Sequence, residues 1–510
     1  MKVRAAFAIF LSIVAVNIPF WVASYLMGFL LTGVFNVELL VIGVLSLFLR
    51  RAVLVSLLVV AMLLDMLRGV NSTYLLSPFE MIRSARSLLE YAPSHSWGLA
   101  AIAICMAGTC LLVALAQDHQ PTGWERTFIA STLVALAVVC VAIDVYTGHM
   151  SVLPQDRQLG TLRLTRSPTY SLVKSEHQHE YNRRHFAGAD VSVPSASKRM
   201  VRFDDASHSQ WTKGTVPNVV LILVESWGRP LAVDLEESLV RPYSDERISE
   251  KYTLSRGTVP FYGPTVAGEA RELCGSSMGF GLLTASAPEL KGCLPGTMKA
   301  MGYHSTALHG YSARMFDRGE WYSRIGFDEA WFRDQLRGQG LPMCPGPFPG
   351  ACDAAVSSWI GERLQESSDT PQFIYWVTLN SHLPVPISNG VKAAPSCSEH
   401  LGTAEAPAVC AWYQLVFNVH RSVSELALRA TTRPTIFLIV GDHAPPFSSA
   451  RLRSQFSDRV VPYVLLVPKR DGATENLGAR SIAVVARRAA GARRPHLKKE
   501  SKLSSSVVGG

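Results

Sequence analysis

Hydrophobic positions along this chain follow two different patterns. Up to about residue 146 they form long, nearly uncharged runs near Ala5–Leu26, Val34–Leu49, Ala52–Leu67, Trp97–Leu115 and Phe128–Tyr146. Most approach the ~20 residues that a helix needs to cross ~30 Å of hydrocarbon, so about five transmembrane helices are expected. A buried or re-entrant helix is the alternative for the shorter runs, and a cleaved signal peptide would account only for the first. Beyond residue 214 the runs shorten and become β-rich: Pro217–Val224, His304–Leu308, Phe373–Thr378 and Thr435–Val440. Short apolar runs bounded by turn residues read as buried strands of a parallel sheet. The expected fold is therefore an N-terminal α-helical membrane bundle followed by an α/β domain with a mostly parallel central sheet.

Composition agrees with that division. The 510 residues are 48% hydrophobic with a mean hydropathy of +0.17, more apolar than an ordinary soluble protein. Charge sets the orientation: Lys2 and Arg4 precede the first run, Arg50 and Arg51 separate the second and third, and Arg126 precedes the fifth. All fall on one side if the N-terminus is cytoplasmic. Arg68, Arg83 and Arg86 go against the pattern, in a loop whose Phe79–Tyr91 stretch could lie on the membrane surface. An odd number of crossings puts everything after about residue 148 outside the cell membrane, which makes a nucleic-acid partner unexpected. The net charge of +9 includes a late basic cluster, Arg487–Lys502, that is either simply solvated or drawn to anionic lipid. The expected layout is 1–148 membrane helices, 149–214 connector, 215–470 catalytic domain and 471–510 basic tail. The connector could wrap the domain or lie on the membrane.

Cysteine usage points the same way. Of nine cysteines, Cys105, Cys110 and Cys140 fall in the apolar runs, leaving Cys274, Cys293, Cys344, Cys352, Cys397 and Cys410. An even set fits an oxidising compartment, and close spacings suggest Cys274–Cys293, Cys344–Cys352 and Cys397–Cys410, although six cysteines allow 15 connectivities. Zinc binding is the rival reading, but no C-x-x-C pair occurs.

Each strand-like run leads into ionisable residues. Val224 is followed by Glu225, Leu308 by His309, Thr378 by Leu-Asn-Ser-His382, and Val440 by Gly441-Asp442-His443. Any one has a bland explanation, because a strand-end Glu is commonly solvated and a lone His commonly satisfies a local hydrogen bond. Repetition at the carboxyl ends of a parallel sheet, where ligands of such sheets gather, favours a site. Carboxylates with an imidazole suit one Zn²⁺ or Mn²⁺ ion. The glycine-flanked turn Gly263-Pro264-Thr265 offers a hydroxyl that a divalent cation would activate. Taken alone, Thr265 reads as a helix N-cap.

The ordered pattern Asn218-Val-Val-Leu-Ile-Leu-Val-Glu225-Ser-Trp-Gly228, Gly263-Pro-Thr265, Leu308-His309-Gly310, His382-Leu-Pro384 and Gly441-Asp442-His443-Ala-Pro445 resembles the sulfatase-like branch of the alkaline phosphatase superfamily. Within it the likeness is to membrane-bound lipoteichoic acid synthases, which are phosphoglycerol transferases, and to phosphoethanolamine transferases. The resemblance implies that Glu225, Thr265, Asp442 and His443 are metal ligands, with Thr265 also the catalytic nucleophile. It implies substrate-binding roles for His309, for Arg318 of Phe316-Asp-Arg318, and for His382. The implied reaction carries a head group from a membrane phospholipid donor, through phosphothreonine, to an envelope glycan or lipid acceptor at the outer face of a bacterial cytoplasmic membrane.

This chain departs from both groups. Ser226-Trp227-Gly228 is closer to the synthases, whereas the cysteine content leans toward the phosphoethanolamine enzymes. Glu269-Ala-Arg271-Glu272-Leu-Cys274 matches neither. Its charges read as a helix-surface pair, with an acceptor pocket as the alternative, and Arg318 outside the family context reads as a surface ion pair with Glu320. Two other functions compete with transfer. A sulfatase would carry Cys/Ser-x-Pro-x-Arg, but Cys293-Leu-Pro-Gly-Thr297 lacks the arginine, and a two-metal phosphodiesterase would need a second Asp-His set. A non-catalytic receptor, scaffold or transporter would be expected to lose a ligand or place ionisable groups within the membrane, where Asp65 and Asp144 are weak candidates.

Overall fold

Long apolar runs satisfy their own backbone polar groups as helices, and this happens where the runs are unbroken. The computed structural model describes residues 13–27, 33–74, 78–83, 96–116, 123–146, 163–186, 193–198, 200, 216–261, 263–277, 279–283, 285–287, 289–366, 369–383, 406–429, 431, 433–447 and 450–469. The basic tail from residue 471, Cys397, and most of the Phe79–Tyr91 stretch lie outside the described residues. Helices α1 (Ile18–Met27), α2 (Val37–Leu45), α3 (Arg51–Tyr74), α4 (Ser96–Ala116) and α5 (Trp124–Tyr146) correspond to the five apolar runs. Three of them are long and apolar enough to cross a membrane, over Arg51–Ser72, Trp97–Leu115 and Trp124–Ile143; Ala15–Leu26 is a shorter apolar helix.

The Val34–Leu49 run does not form the single long helix that was expected. Its start is a strand, β1 (Gly33–Asn36), and Asn36 then caps α2 by accepting a hydrogen bond from Leu39 N–H at 3.1 Å. Nine helical residues rise only about 13 Å, well short of the hydrocarbon thickness. β1 pairs in parallel with β2 (Arg163–Arg166), from the expected connector, and helix α6 (Pro168–Phe186) follows.

A buried polar network holds this junction. The Arg166 guanidinium donates to Asp65 Oδ1 at 2.9 Å and Oδ2 at 2.6 Å, to Asn17 Oδ1 at 3.0 Å, and to the carbonyls of Gly33 and Val34. Asn36 Nδ2 also donates to Asp65 Oδ2 at 3.1 Å, and the Arg166 charge lies 4.2 Å from the centre of the Phe20 ring. Asp65 is therefore tied into a structural pair, contrary to its reading as a weak transport candidate.

The sheet of the second region has seven strands: β3 (Asn218–Val224), β4 (Tyr252–Pro260), β5 (His304–His309), β6 (Glu329–Trp331), β9 (Gln372–Val377), β10 (Thr435–Gly441) and β11 (Val460–Pro468). A separate hairpin, β7 (Met343–Cys344) with β8 (Gly350–Ala351), is closed by the Cys344–Cys352 disulfide. Sheet order is β4-β11-β10-β3-β9-β5-β6, and the pairs β10–β3, β3–β9, β9–β5 and β5–β6 are parallel. Alternation sends Val219, Leu221 and Leu223 of β3 into one apolar layer and Val220, Ile222 and Val224 into the other. Helix α7 (Thr265–Cys274) packs its Val266, Ala270 and Leu273 into the first layer; α9 (Asp353–Gln365) and α10 (Ala406–Leu428) contribute to the second, and α8 (Arg318–Arg324) places Trp321 and Tyr322 in the first. Cys274 bonds Cys293, and Cys410 is also disulfide-bonded.

Removing one partner of the fully buried Arg166–Asp65 pair strands a charge. Arg166→Met is expected to cost about 3–5 kcal/mol. Replacing both residues, as Asp65→Leu with Arg166→Met, is expected to cost clearly less. Unfolding of the detergent-solubilised protein measures both variants; equal losses would contradict a paired role.

Candidate active site

Because the central strands run in parallel, their carboxyl ends bring Glu225, His309, the loop to His382 and Asp442-His443 to one edge of the sheet. Register places Val224 beside Gly441, so Glu225 and Asp442 emerge as neighbours. Gly441 is required there: a β-carbon would collide with the Trp227 carbonyl. Ser226 turns the chain away from β3 in the left-handed region, with φ of 57°, an unusual conformation for a side-chain-bearing residue.

Glu225, Asp442 and His443 form the centre, with one ligand atom from each lying within 4.8 Å of the others. Asp442 Oδ1 accepts the backbone N–H groups of Ser226 at 2.7 Å and His443 at 2.6 Å. Its Oδ2 is buried and accepts no hydrogen bond, lying 3.4 Å from His443 Nε2. His443 Nδ1 faces the Ala444 carbonyl at 2.9 Å, so that nitrogen carries the proton and Nε2 presents its lone pair to the carboxylates. An unsatisfied carboxylate oxygen, a second carboxylate and an oriented imidazole form the donor set that Zn²⁺ or Mn²⁺ takes, so the residues fit the expected ion.

Thr265 is the first residue of α7. The N-cap position belongs to Pro264, and the threonine hydroxyl is not used as a cap. Instead its Oγ1 donates to Glu225 Oε2 at 3.0 Å, while Ser226 Oγ donates to Glu225 Oε1 at 2.7 Å. Gly268, one turn into α7, lets the helix approach: a β-carbon there would stand 3.0 Å from that of Asp442.

Electrostatics separate the two carboxylates. Burial pushes Glu225 up, but the positive charge that His382 and His443 carry when protonated, with the two hydroxyl donors, outweighs it and leaves its pKa below the usual value. Asp442 is pushed up to about 7, first by burial and then by the Glu225 charge. Burial holds His309 well below its ordinary pKa, with the Arg318 charge adding to the effect. It also lowers His382, against the pull of Glu225. His309 Nδ1 faces the Val377 carbonyl at 3.3 Å and His382 Nδ1 the Leu383 carbonyl at 2.6 Å. In the neutral form each ring thus carries its proton on Nδ1 and leaves Nε2 as the lone-pair nitrogen.

Sequence reasoning missed the supports of this edge. Asp353, at the start of α9, accepts from Leu379 N–H at 3.0 Å and Asn380 N–H at 2.8 Å, and Asn380 Oδ1 accepts Asp353 N–H at 2.8 Å, fixing the loop that leads to His382. Phe348, in the disulfide-closed hairpin, meets the His382 ring edge to face at 4.4 Å. It also joins Tyr311 and Leu379 in one apolar cluster with Phe20, Ala23 and Ile102 from α1 and α4.

The charges after Thr265 are not on a helix surface. Glu269, Arg271 and Glu272 are all buried, and Arg318 pairs with Glu269 at 2.9 Å, not with Glu320. Glu269 Oε1 also accepts from Tyr322 at 2.6 Å and Tyr375 at 3.3 Å. Phe316 and Asp317, immediately before Arg318, are both left-handed, the turn that sends this arginine inward. The one available signal was three ionisable residues within two turns of a proposed nucleophile.

A family model described as Sulfatase matches residues 217–483, just over half of the chain. The chain belongs to the sulfatase family. No curated protein matches. Among solved structures, the lipoteichoic acid synthase LtaP from Listeria monocytogenes is similar at 14% identity and TM-score 0.35, over 51% of this chain and 67% of that one. The Streptococcus pyogenes phosphoglycerol transferase GacH, in complex with sn-glycerol-1-phosphate, gives 16% identity and TM-score 0.36, over 53% and 73%. The periplasmic domain of EcEptC from Escherichia coli, in complex with Zn, gives 15% and 0.36, over 50% and 74%.

Metal must displace protons from its ligands. Asp442, raised to about 7, holds a proton below that pH in the metal-free protein. Zinc affinity is therefore expected to fall as pH drops below about 7, by up to about tenfold per unit, in competition with a chromophoric chelator. In the metal-free fold the sign reverses: the contribution of this raised carboxyl to stability is present at acid pH and is lost as pH rises through about 7. An affinity independent of pH across neutrality would contradict this assignment.

Proposed function

We propose that this protein is a membrane-bound, metal-dependent phosphotransferase. It moves a phospholipid-derived head group, phosphoethanolamine or phosphoglycerol, through phosphothreonine to an envelope glycan or lipid acceptor. The observation that carries this reading is the Thr265 hydroxyl, 3.0 Å from a carboxylate of the buried Glu225, Asp442 and His443 cluster. A divalent cation held by those three residues would supply Lewis-acid stabilisation of the hydroxyl's anion and of phosphoryl charge.

In the first step the Thr265 oxygen forms a bond to phosphorus as the bond to the diacylglycerol oxygen breaks. The threonine proton leaves along its hydrogen bond toward Glu225 and ends on diacylglycerol. In the second step an acceptor oxygen attacks phosphorus, the bond to Thr265 breaks, and threonine regains a proton. Neutral His382 and His309 suit the removal of the acceptor's proton through Nε2. Arg318, already balanced by Glu269, would add directional donors to phosphate more than net positive charge. Packing of α1 and α4 residues against the wall beside His382 supports a lipid donor, and the arginine and lysine distribution between the apolar runs supports a site at the outer face of a bacterial cytoplasmic membrane.

Sulfate-ester hydrolysis is the weaker reading. Cys293-Leu-Pro-Gly-Thr297 lacks the arginine of the sulfatase motif, and its sulfur is bonded to Cys274.

Incubation of the purified protein with lipids of distinct head groups is expected to leave a phosphoethanolamine or phosphoglycerol mass on Thr265. Mass spectrometry locates it, and Thr265→Ala is expected to abolish both the adduct and turnover. Activity that survives Thr265→Ala without any adduct would defeat the mechanism.

A further inference from the structure

The segment after the nucleophile contains a second ion pair that the chemistry above does not use. Arg271 Nε donates to Glu272 Oε1 at 2.6 Å, and both side chains are fully buried. The rest of the guanidinium faces main-chain carbonyls: Pro260 at 3.1 Å and Asp442 at 3.2 Å from Nη1, and Gly441 at 2.6 Å from Nη2. Four of the five donors of the arginine fork thus have named acceptors. Pro260 closes β4 just before the Thr265 turn, and Gly441-Asp442 is the segment that delivers the metal-binding pair.

The peptide between Asp442 and His443 is consequently held at both ends. Its carbonyl is fastened by Arg271 and its N–H by Asp442 Oδ1 at 2.6 Å. Glu272 is itself anchored, because its Oε2 accepts Ser197 N–H at 2.8 Å and its carbonyl accepts Ser197 Oγ at 2.6 Å. A buried ion pair gives little or no net stability over apolar residues of similar volume, so fold stability alone does not explain this one.

We propose that Arg271 is a positioning residue for the metal centre: it fastens the peptide of Asp442 and His443 to the helix that begins with Thr265, and so sets the spacing between nucleophile and metal ligands. The proposal rests on the metal-dependent transfer reading and adds to it a residue that touches neither metal nor substrate. Lysine cannot replace the fork, since an ammonium group donates from a single point.

The test uses full-length protein in detergent, with zinc affinity read by chelator competition and the thermal midpoint of the metal-free protein read alongside. The double variant Arg271→Met with Glu272→Met removes the fork without stranding a charge. It is expected to bind zinc about 10–100-fold more weakly, as loss of an outer-shell partner does, while melting within a few degrees of wild type. Should that variant fail to fold, Arg271→Lys retains a cation opposite Glu272 and is expected to weaken zinc about tenfold. Zinc affinity within twofold of wild type in a folded variant of either kind would overturn the proposal. Failure of the transfer reading would look different: wild-type protein binding zinc normally, with no adduct on Thr265.

Discussion

Two carboxylates and an imidazole are gathered at the buried end of a parallel sheet, and much of the surrounding structure answers to that concentration of charge. Uncompensated burial of a carboxylate is severely unfavourable, so each oxygen needs a donor, a cation or a proton. Glu225 has the hydroxyls of Ser226 and Thr265, and Asp442 Oδ1 has two backbone N–H groups, whereas Asp442 Oδ2 has none. The remaining demand is one that a divalent cation would meet. The same demand accounts for the unusual backbone at Ser226, whose N–H must reach Asp442 just after its strand has ended.

Helix α7 organises what lies around that centre. Its first residue meets Glu225, a turn later Glu269 meets Arg318, Tyr322 and Tyr375, and beyond that Arg271 meets the carbonyls of Gly441 and Asp442. One rigid element thereby touches both the Glu225, Asp442 and His443 cluster and the Arg318 guanidinium. Side chains held on regular elements keep tighter geometry than those on loops.

The legible part of this site was the part written locally. Short β-rich runs ending in Glu225, His309 and Asp442-His443 combine a periodic signal with a chemical one, and the four strands appear with ends within a residue or so of those read from the pattern. Partners distant in the chain were not legible. Glu269 looked like surface charge because Arg318 is 49 positions away, and Asp65 looked like an isolated membrane acid because Arg166 is 101 away. Hydropathy also misread Val34–Leu49, since apolar character does not reveal that Asn36 ends a strand and starts a helix within one run.

Phe20 has two neighbourhoods. One face of its surroundings is the Arg166 guanidinium, and the other is the apolar group of Tyr311, Phe348 and Leu379 next to His382. A fragment lacking the N-terminal helices would therefore carry an uncovered greasy scar beside His382. Whatever detergent, additive or neighbouring copy settled on that scar would press on the Phe348–His382 contact, so the behaviour of a truncated enzyme would report partly on its substitute lining.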